Sequence, residues 1–461
     1  MKSYNFSPFS LFFIIPFLAL HFHASTTEAQ VPQKATFTVY NQGDFGEYIT
    51  EYDAGYRILR HDEDIFFAFP FRLCFYNTTP GEFILGLRAG VPNDEDLMRW
   101  VWDANRNHPV KENATFSLGR DGNLVLANPD GRIVWQTNTA NKGVTGFKLL
   151  SNGNMVLHDK KGKFIWQSFD YPVDTLLVGM SVRRNGINKL VSRTSDVDGR
   201  DGKYSLVLEN NGFNLYLNNS GKLIAYNGWG QDPSNRLTSI RFNAEPIDQD
   251  PKSAGWELLL EQFNEAKPPP PPRRSLLQSF PVGRDSTIIL RKVNYNASIS
   301  FFRLGSDGNV RVFTYFDKVP YLKWSETWAF FSSYYVRECG QPEKCGAFGL
   351  CQKGMCVACP SPKGLLGWSD VCAPPTLKPC SAAGKVDYYK IVGVEHFLNR
   401  ESTGNGEGPI TVEACRDKCN KDCECKGFVY KQDIKKCLRL PVLGTLIRDA
   451  NTSTAYIKYS L

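Results

Sequence analysis

Of the thirteen cysteines in the 461-residue chain, Cys74 stands alone in the first 338 positions, and the other twelve fall between Cys339 and Cys437. No other feature constrains the fold as much. Cysteines this crowded mean disulfides or zinc, and the compartment decides between them. Cys339, Cys345, Cys351, Cys356, Cys359 and Cys372 stand among Gly, Pro and Lys with little to build a core, which predicts a small disulfide module. The second cluster is Cys380, Cys415, Cys419, Cys423, Cys425 and Cys437. Thr411 is placed to cap a short helix from Val412, on which Cys415 and Cys419 share a face at i, i+4. Cys423 and Cys425, two apart, are predicted to share a face of the strand leading into Gly427. Cys356 and Cys359 have the spacing of a zinc-ligand pair, but an oxidising compartment favours disulfides for all twelve. Cys74 is left over, either buried and free or paired with another chain.

The N-terminus supplies that compartment. Lys2 is a basic start, Leu11 to Leu20 is an almost unbroken apolar run, and small or polar residues follow from Ala24. This is the order of a secretory signal peptide, ending before Gln30 or after Ala24. The run is too short to span a membrane comfortably, and no later stretch reaches the length a span needs, so no membrane anchor is expected. Five N-x-S/T sequons, at Asn77, Asn113, Asn218, Asn296 and Asn451, fit a secreted glycoprotein.

Between the signal and the cysteines, short runs of strand-forming residues are punctuated by turns. Asn123-Leu-Val-Leu-Ala, the turn Asn128-Pro-Asp-Gly and Arg132-Ile-Val-Trp-Gln make one unit. Asn154-Met-Val-Leu-His, Asp159-Lys-Lys-Gly and Lys163-Phe-Ile-Trp-Gln make the next, with Gly122 and Trp135 returning 31 residues later as Gly153 and Trp166. Looser echoes occur around Asn211 and at Asp307-Gly-Asn-Val-Arg-Val. A repeated hairpin with an Asx-Gly turn predicts a mainly all-β protein. Pro268 to Pro272 reads as an exposed polyproline loop inside the second β unit.

Several function classes are poorly provisioned. Lys plus Arg exceed Asp plus Glu by only 54 to 47, with no dense basic block, so no nucleic-acid partner is expected. Outside the signal the histidines are His61, His108, His158 and His396, far apart in sequence. No H-E-x-x-H, G-x-S-x-G or P-loop occurs, and the chain is read as non-enzymatic, without cofactor or metal.

The residues also carry a resemblance. Trp102-Asp-Ala-Asn-Arg-Asn-His-Pro-Val is similar to a stretch of the bulb-type, mannose-binding lectin domains of plant S-locus glycoproteins, and the two 31-residue units resemble that domain's internal repeats. Cys345-Gly346 followed by Phe348-Gly349-x-Cys351 resembles their EGF-like insert, and Glu413-Ala-Cys415 through Cys425 resembles the PAN/apple signature. In domain order the chain resembles the secreted epidermis-specific glycoproteins of plants, a curculin-like lectin family. The resemblance implies β-prism II-type domains at 44–167 and 168–330, an EGF-like module at 339–372 and a PAN/apple α+β domain at 380–461, after a signal at 1–29. It implies a cell-wall or apoplastic location, with glycans or glycoproteins of the wall as partners and a protein contact through the PAN domain.

The family's mannose motif, Q-x-D-x-N-x-V-x-Y, places alternate side chains on one strand face. The first repeat offers Gly119, Asp121, Asn123, Val125 and Ala127 there, keeping Asp, Asn and Val. The second offers Leu150, Asn152, Asn154, Val156 and His158, keeping Asn and Val. The candidate sugar residues are therefore Asp121, Asn123, Val125, Asn152, Asn154 and Val156. Their competing role is as plain hairpin turns, since Asx-Gly tolerates positive φ. A wall glycoprotein without lectin activity is the alternative reading.

Overall fold

The structure, a computed structural model, describes residues 30–93, 96–229, 236–246, 254–262, 286–293, 299–316, 323–332, 338–378, 385–399, 406–448 and 453–461. The expected signal segment, the proline run at 268–272, Asn296, Asn451 and Cys380 lie outside the described residues.

Three antiparallel sheets built from residues 37–167 face a common core. One runs in the order Phe37–Tyr40, Thr115–Leu118, Leu124–Ala127, Ile133–Gln136. The second is Gly146–Leu149, Met155–His158, Phe164–Gln167. The third is Gly55–Ile58, Phe71–Thr79, Glu82–Ala89, Arg99–Asp103. Period-2 alternation drives each strand: in Glu82–Ala89, Phe83, Leu85, Leu87 and Ala89 enter the core, leaving Ile84, Gly86 and Arg88 on the opposite face. On the last strand of each sheet sits a tryptophan. Trp102, Trp135 and Trp166 meet edge to face, with centroids 5.8 to 6.4 Å apart. The recurrence of Trp135 and Trp166 in sequence is two-thirds of this trio.

Residues 175–329 repeat the plan with three four-stranded sheets. One sheet runs Thr175–Leu177, Ser300–Leu304, Val310–Phe316, Lys323–Ala329, and Lys189–Arg193 begins a meander through Asp201–Leu208 and Phe213–Asn219 to Lys222–Trp229. Leu206, Leu215, Tyr226, Phe302 and Val312 fill its interior, and most of the buried apolar side chains of both prisms form one contiguous cluster, with a smaller one around Tyr76 and Trp100.

The cysteine-rich third is organised differently. Phe348–Gln352 pairs in parallel with Gly444–Arg448, so one five-stranded sheet runs through both cysteine groups. Its core is small: Phe348, Leu350, Val394, Val429, Leu446 and Ile457 are its main apolar members. The helix Val412–Lys421 starts where Thr411 accepts a hydrogen bond from the Ala414 amide at 3.2 Å, and it buries Cys415 and Cys419. Bridges join Cys339 to Cys351, Cys345 to Cys356, Cys359 to Cys372, Cys415 to Cys437 and Cys419 to Cys425. The zinc-like pair Cys356 and Cys359 thus belongs to two different disulfides. Cys423 is also disulfide-bonded.

One local expectation is corrected. Cys423 and Cys425 do not share a strand face, because the strand begins only at Gly427. Asp422 makes a turn instead: its carbonyl accepts the Cys425 amide at 3.1 Å and its carboxylate the Glu424 amide at 3.0 Å. The turn buries Cys425 against Cys419 and leaves Cys423 exposed.

Candidate functional site

The motif residues form one hairpin motif used three times. In the first repeat the Asp121 carboxylate accepts the Asn123 amide at 3.1 Å, while Gly122 N–H donates to the Gly119 carbonyl at 3.0 Å. In the second, Asn152 accepts from Asn154 at 3.1 Å and Gly153 N–H donates to Leu150. In the third, Asp307 accepts from Asn309 at 3.0 Å and Gly308 N–H donates to Gly305. Glycine is required at the turn on two counts. Its φ is +83° at Gly122, and a Cβ there would stand 2.8 Å from Val144.

The buried asparagine after each turn ties the hairpin to the next segment. Asn123 Nδ2 donates to Gln136 Oε1 at 2.8 Å, and its Oδ1 accepts from the Thr137 hydroxyl at 3.2 Å and the Thr139 amide at 3.1 Å. Asn154 repeats this with Gln167, Ser168 and Phe169. Asn309 Oδ1 accepts the Phe331 amide at 3.0 Å. The carbonyl oxygens of the first two amides each hold two internal donors, and one amide hydrogen of each is spent on a glutamine.

The neighbouring positions diverge. Asp121 is exposed and Val125 half-buried, whereas Asn152 is exposed and Val156 is completely buried. At the third repeat Arg311 takes the valine position and closes a two-point ion pair on Asp307 at 2.6 and 2.9 Å. Among the sequons, Asn113 and Asn218 are exposed, the former at φ +62° with its side chain accepting from Gln42, and Asn77 is half-buried.

A second constellation was not anticipated from sequence. The Trp102-Asp-Ala-Asn-Arg stretch bolts the two prisms together. Asp103 accepts from Tyr76 Oη and Arg193 Nη2, both at 2.8 Å. Arg106 donates to Asp174 at 2.7 Å and to the Val191 carbonyl at 3.0 Å. Asn105 stays within the first prism, holding Leu85, Phe83 and His108. Nearby, Glu51 takes Arg303 and Arg99, each at 2.7 Å. Burial alone would raise the Asp174 carboxyl, but Arg106, Arg303 and Arg193 outweigh it and hold it down to about 2. Glu51 is lowered in the same way, with Arg303 as its main counter-charge. Tyr52, at φ +67°, lies with its ring 4.5 Å from the Arg193 guanidinium, and burial pushes its phenol up to about 12. These carboxylates are all committed to arginines, an arrangement suited to a rigid joint.

Two isolated groups complete the inventory. Burial pushes the Cys74 thiol up to about 11, so this free cysteine is kept as an inert thiol. His396 is buried between Leu443 and Leu398: its Nε2 meets the Leu443 carbonyl and its Nδ1 accepts the Leu398 amide at 3.1 Å. Burial drives its pKa down to about 4. Among the described residues no cluster of His, Cys, Asp and Glu could hold a metal ion, and no helix is long and apolar enough to cross a membrane.

Comparison with known proteins places these features. Residues 99–197 match the D-mannose binding lectin family, and residues 388–439 match the PAN-like domain family. EP1-like glycoprotein 2 of Arabidopsis thaliana is 56% identical over 94% of this chain and 96% of its own length. EP1-like glycoprotein 1 of the same plant is 53% identical over the same shares. The epidermis-specific secreted glycoprotein EP1 of Daucus carota is 44% identical over 76% of this chain and 90% of its own length.

Proposed function

The chain belongs to the EP1-like glycoprotein family, and on that premise we propose that it is a secreted, non-enzymatic glycoprotein of the plant apoplast and cell wall that binds glycans with its prisms and a protein partner with its PAN-like region. The observation that carries this reading is near full-length similarity to glycoproteins, one of them named as secreted, together with a mannose-binding lectin match over the first prism's repeats. The apolar N-terminal run and the sequons agree with it.

Simple mannose is not the ligand under this reading. Gln and Tyr of the family motif are absent from the first repeat, and each lost hydrogen-bonding side chain costs about 0.5–1.5 kcal/mol. An intact single site holding mannose at about 1 mM would thereby weaken to about 5 mM or beyond. The engaged Asn123 and Asn154 amides, the buried Val156 and the Asp307–Arg311 ion pair support the same conclusion. These observations also favour the alternative, a protein-binding or structural wall glycoprotein without lectin activity. A glycan array probed with the purified full chain separates the two. Binding to oligosaccharides but not to monomeric mannose supports glycan recognition; no binding to any wall glycan leaves the alternative.

A further inference from the structure

A groove of about 850 Å³ runs along the outer side of the first prism, between the strand Gly55–Ile58 and the loop 42–49. On its floor Arg88 is 3% exposed. Among the described residues its Nε and Nη1 have no hydrogen-bond partner, and no carboxylate forms an ion pair with it. Its neighbour is Tyr56, whose ring centroid lies 5.1 Å from Cζ and whose phenol hydrogen-bonds the guanidinium. The contrast within the same groove is direct. Arg57 is paired with Glu112 at 2.9 Å and Arg72 with Asp64 at 2.8 Å. A buried guanidinium without a counter-charge is costly and calls for an anion.

The walls say what kind of anion. Tyr40, Phe45, Tyr48 and Phe67 line the groove with 40 to 54% of their surface exposed. Two of these rings pack against a guanidinium that also lines the groove: that of Arg57 lies 4.5 Å from the Phe45 centroid and that of Arg72 lies 4.4 Å from Phe67. The loop is also held. Gly46 donates to the Tyr56 carbonyl at 2.7 Å and lies so flat on the Tyr56 ring that a Cβ would fall 2.1 Å from it. Partly exposed aromatic rings suit the flat apolar faces of sugar rings, and the volume lies within the range of about 300–1,000 Å³ that accepts a small ligand.

We infer that this groove binds an acidic oligosaccharide, a uronate-bearing chain whose carboxylate Arg88 receives while the wall aromatics stack on its rings. A guanidinium matches a carboxylate in shape and charge. Asp44 and Glu47 on the loop are exposed and line the same groove, but neither forms an ion pair with Arg88. The inference rests on the reading of the chain as a glycan binder, but it uses none of the hairpin-motif residues.

Calorimetry of the full glycosylated chain with trigalacturonate, its methyl ester, mannotriose and a short polyglutamate tests it. Wild type should bind trigalacturonate at least about tenfold more tightly than the other three probes. Arg88→Gln, checked for native circular dichroism, should lose at least about tenfold in affinity. Tyr48→Ala, a change at an exposed ring that spares the core, should lose about two- to tenfold, and Asp121→Ala should lose nothing. Equal binding of ester or polyglutamate, or full affinity in folded Arg88→Gln or in Tyr48→Ala, overturns the inference. If Arg88→Gln does not fold, the Tyr48→Ala result and the ester comparison decide. Binding of neutral glycans without uronates overturns this site alone, whereas binding of no glycan overturns the parent reading as well.

Discussion

In the prisms, large side chains such as Trp100, Phe116 and Phe242 are wholly buried, and the joint between the two bodies is a set of ion pairs around Glu51, Asp103 and Asp174. In the C-terminal third the helix face turned inward is cysteine, and among the described residues the main apolar cluster has eleven buried side chains. The prisms therefore depend on area and charge pairing, the C-terminal third on covalent cross-links. Three sheets around one axis bury enough apolar surface to stand without bridges. A helix of ten residues with two buried positions does not, and each bridge supplies what the core lacks.

The sharpest way to break this comparison is reduction. The five described bridges close loops of 6 to 22 residues, each contributing about 2–3.5 kcal/mol in the chain-entropy treatment. Under dithiothreitol without denaturant, amide hydrogens of residues 427–431 and 453–460 should lose protection while those of 82–89 and 204–208 keep theirs. Hydrogen exchange read by mass spectrometry distinguishes this from loss of both regions together, which would refute the division of labour.

Next in size is the joint. Arg303→Met leaves Glu51 buried with less counter-charge and should destabilise the prisms by about 3–5 kcal/mol. Adding Glu51→Gln should recover much of that loss. An additive double mutant would mean the pair is not coupled.

Acid separates the regions further, and the two groups behave differently. The unfolded chain protonates His396 near 6.5, whereas the folded chain resists until about 4. Stability of the C-terminal third is therefore complete above 6.5 and falls, by about 3 kcal/mol, as pH drops toward 4. Asp174 remains ionised when folded down to about 2, so its contribution of about 2 kcal/mol is intact above about 4 and is lost only between there and 2. Denaturant midpoints at pH 7 and 4.5 should drop for the C-terminal region and hold for the prisms, and His396→Asn should flatten the slope.

How much of this was legible in sequence depended on how far the partners lie apart. The two hairpins at Asp121 and Asn152 were readable because Asx-Gly turns and alternating strands are local signals. The third, at Asp307, was only an echo, since Arg311 replaces the valine and removes the pattern. Trp102-Asp-Ala-Asn-Arg was recognisable by resemblance, yet its work was hidden: Asp174 and Arg193, its partners, come 68 and 90 residues after Arg106 and Asp103. Cysteine spacing showed which residues share a helix face but not that Cys415 reaches Cys437 and Cys419 reaches Cys425. Arg88 carried no signal at all, because its lack of a counter-charge among the described residues is a property of the fold around it.

The smallest expected effect concerns the exposed end of the motif. Asp121→Ala removes one turn-closing acceptor and should cost about 0.5–1 kcal/mol, seen as a small shift in the thermal midpoint.

Asn123→Ala tests the central claim, that the lectin-like motif residues hold the prism together and do not grip mannose. Thermal stability and mannose titration are measured on the same samples of wild type and variant. The account predicts no sub-millimolar mannose binding in either protein and a loss of about 2–4 kcal/mol in the variant, from three hydrogen bonds made by one buried amide. Sub-millimolar mannose binding in wild type, abolished in an Asn123→Ala protein of unchanged stability, would contradict it.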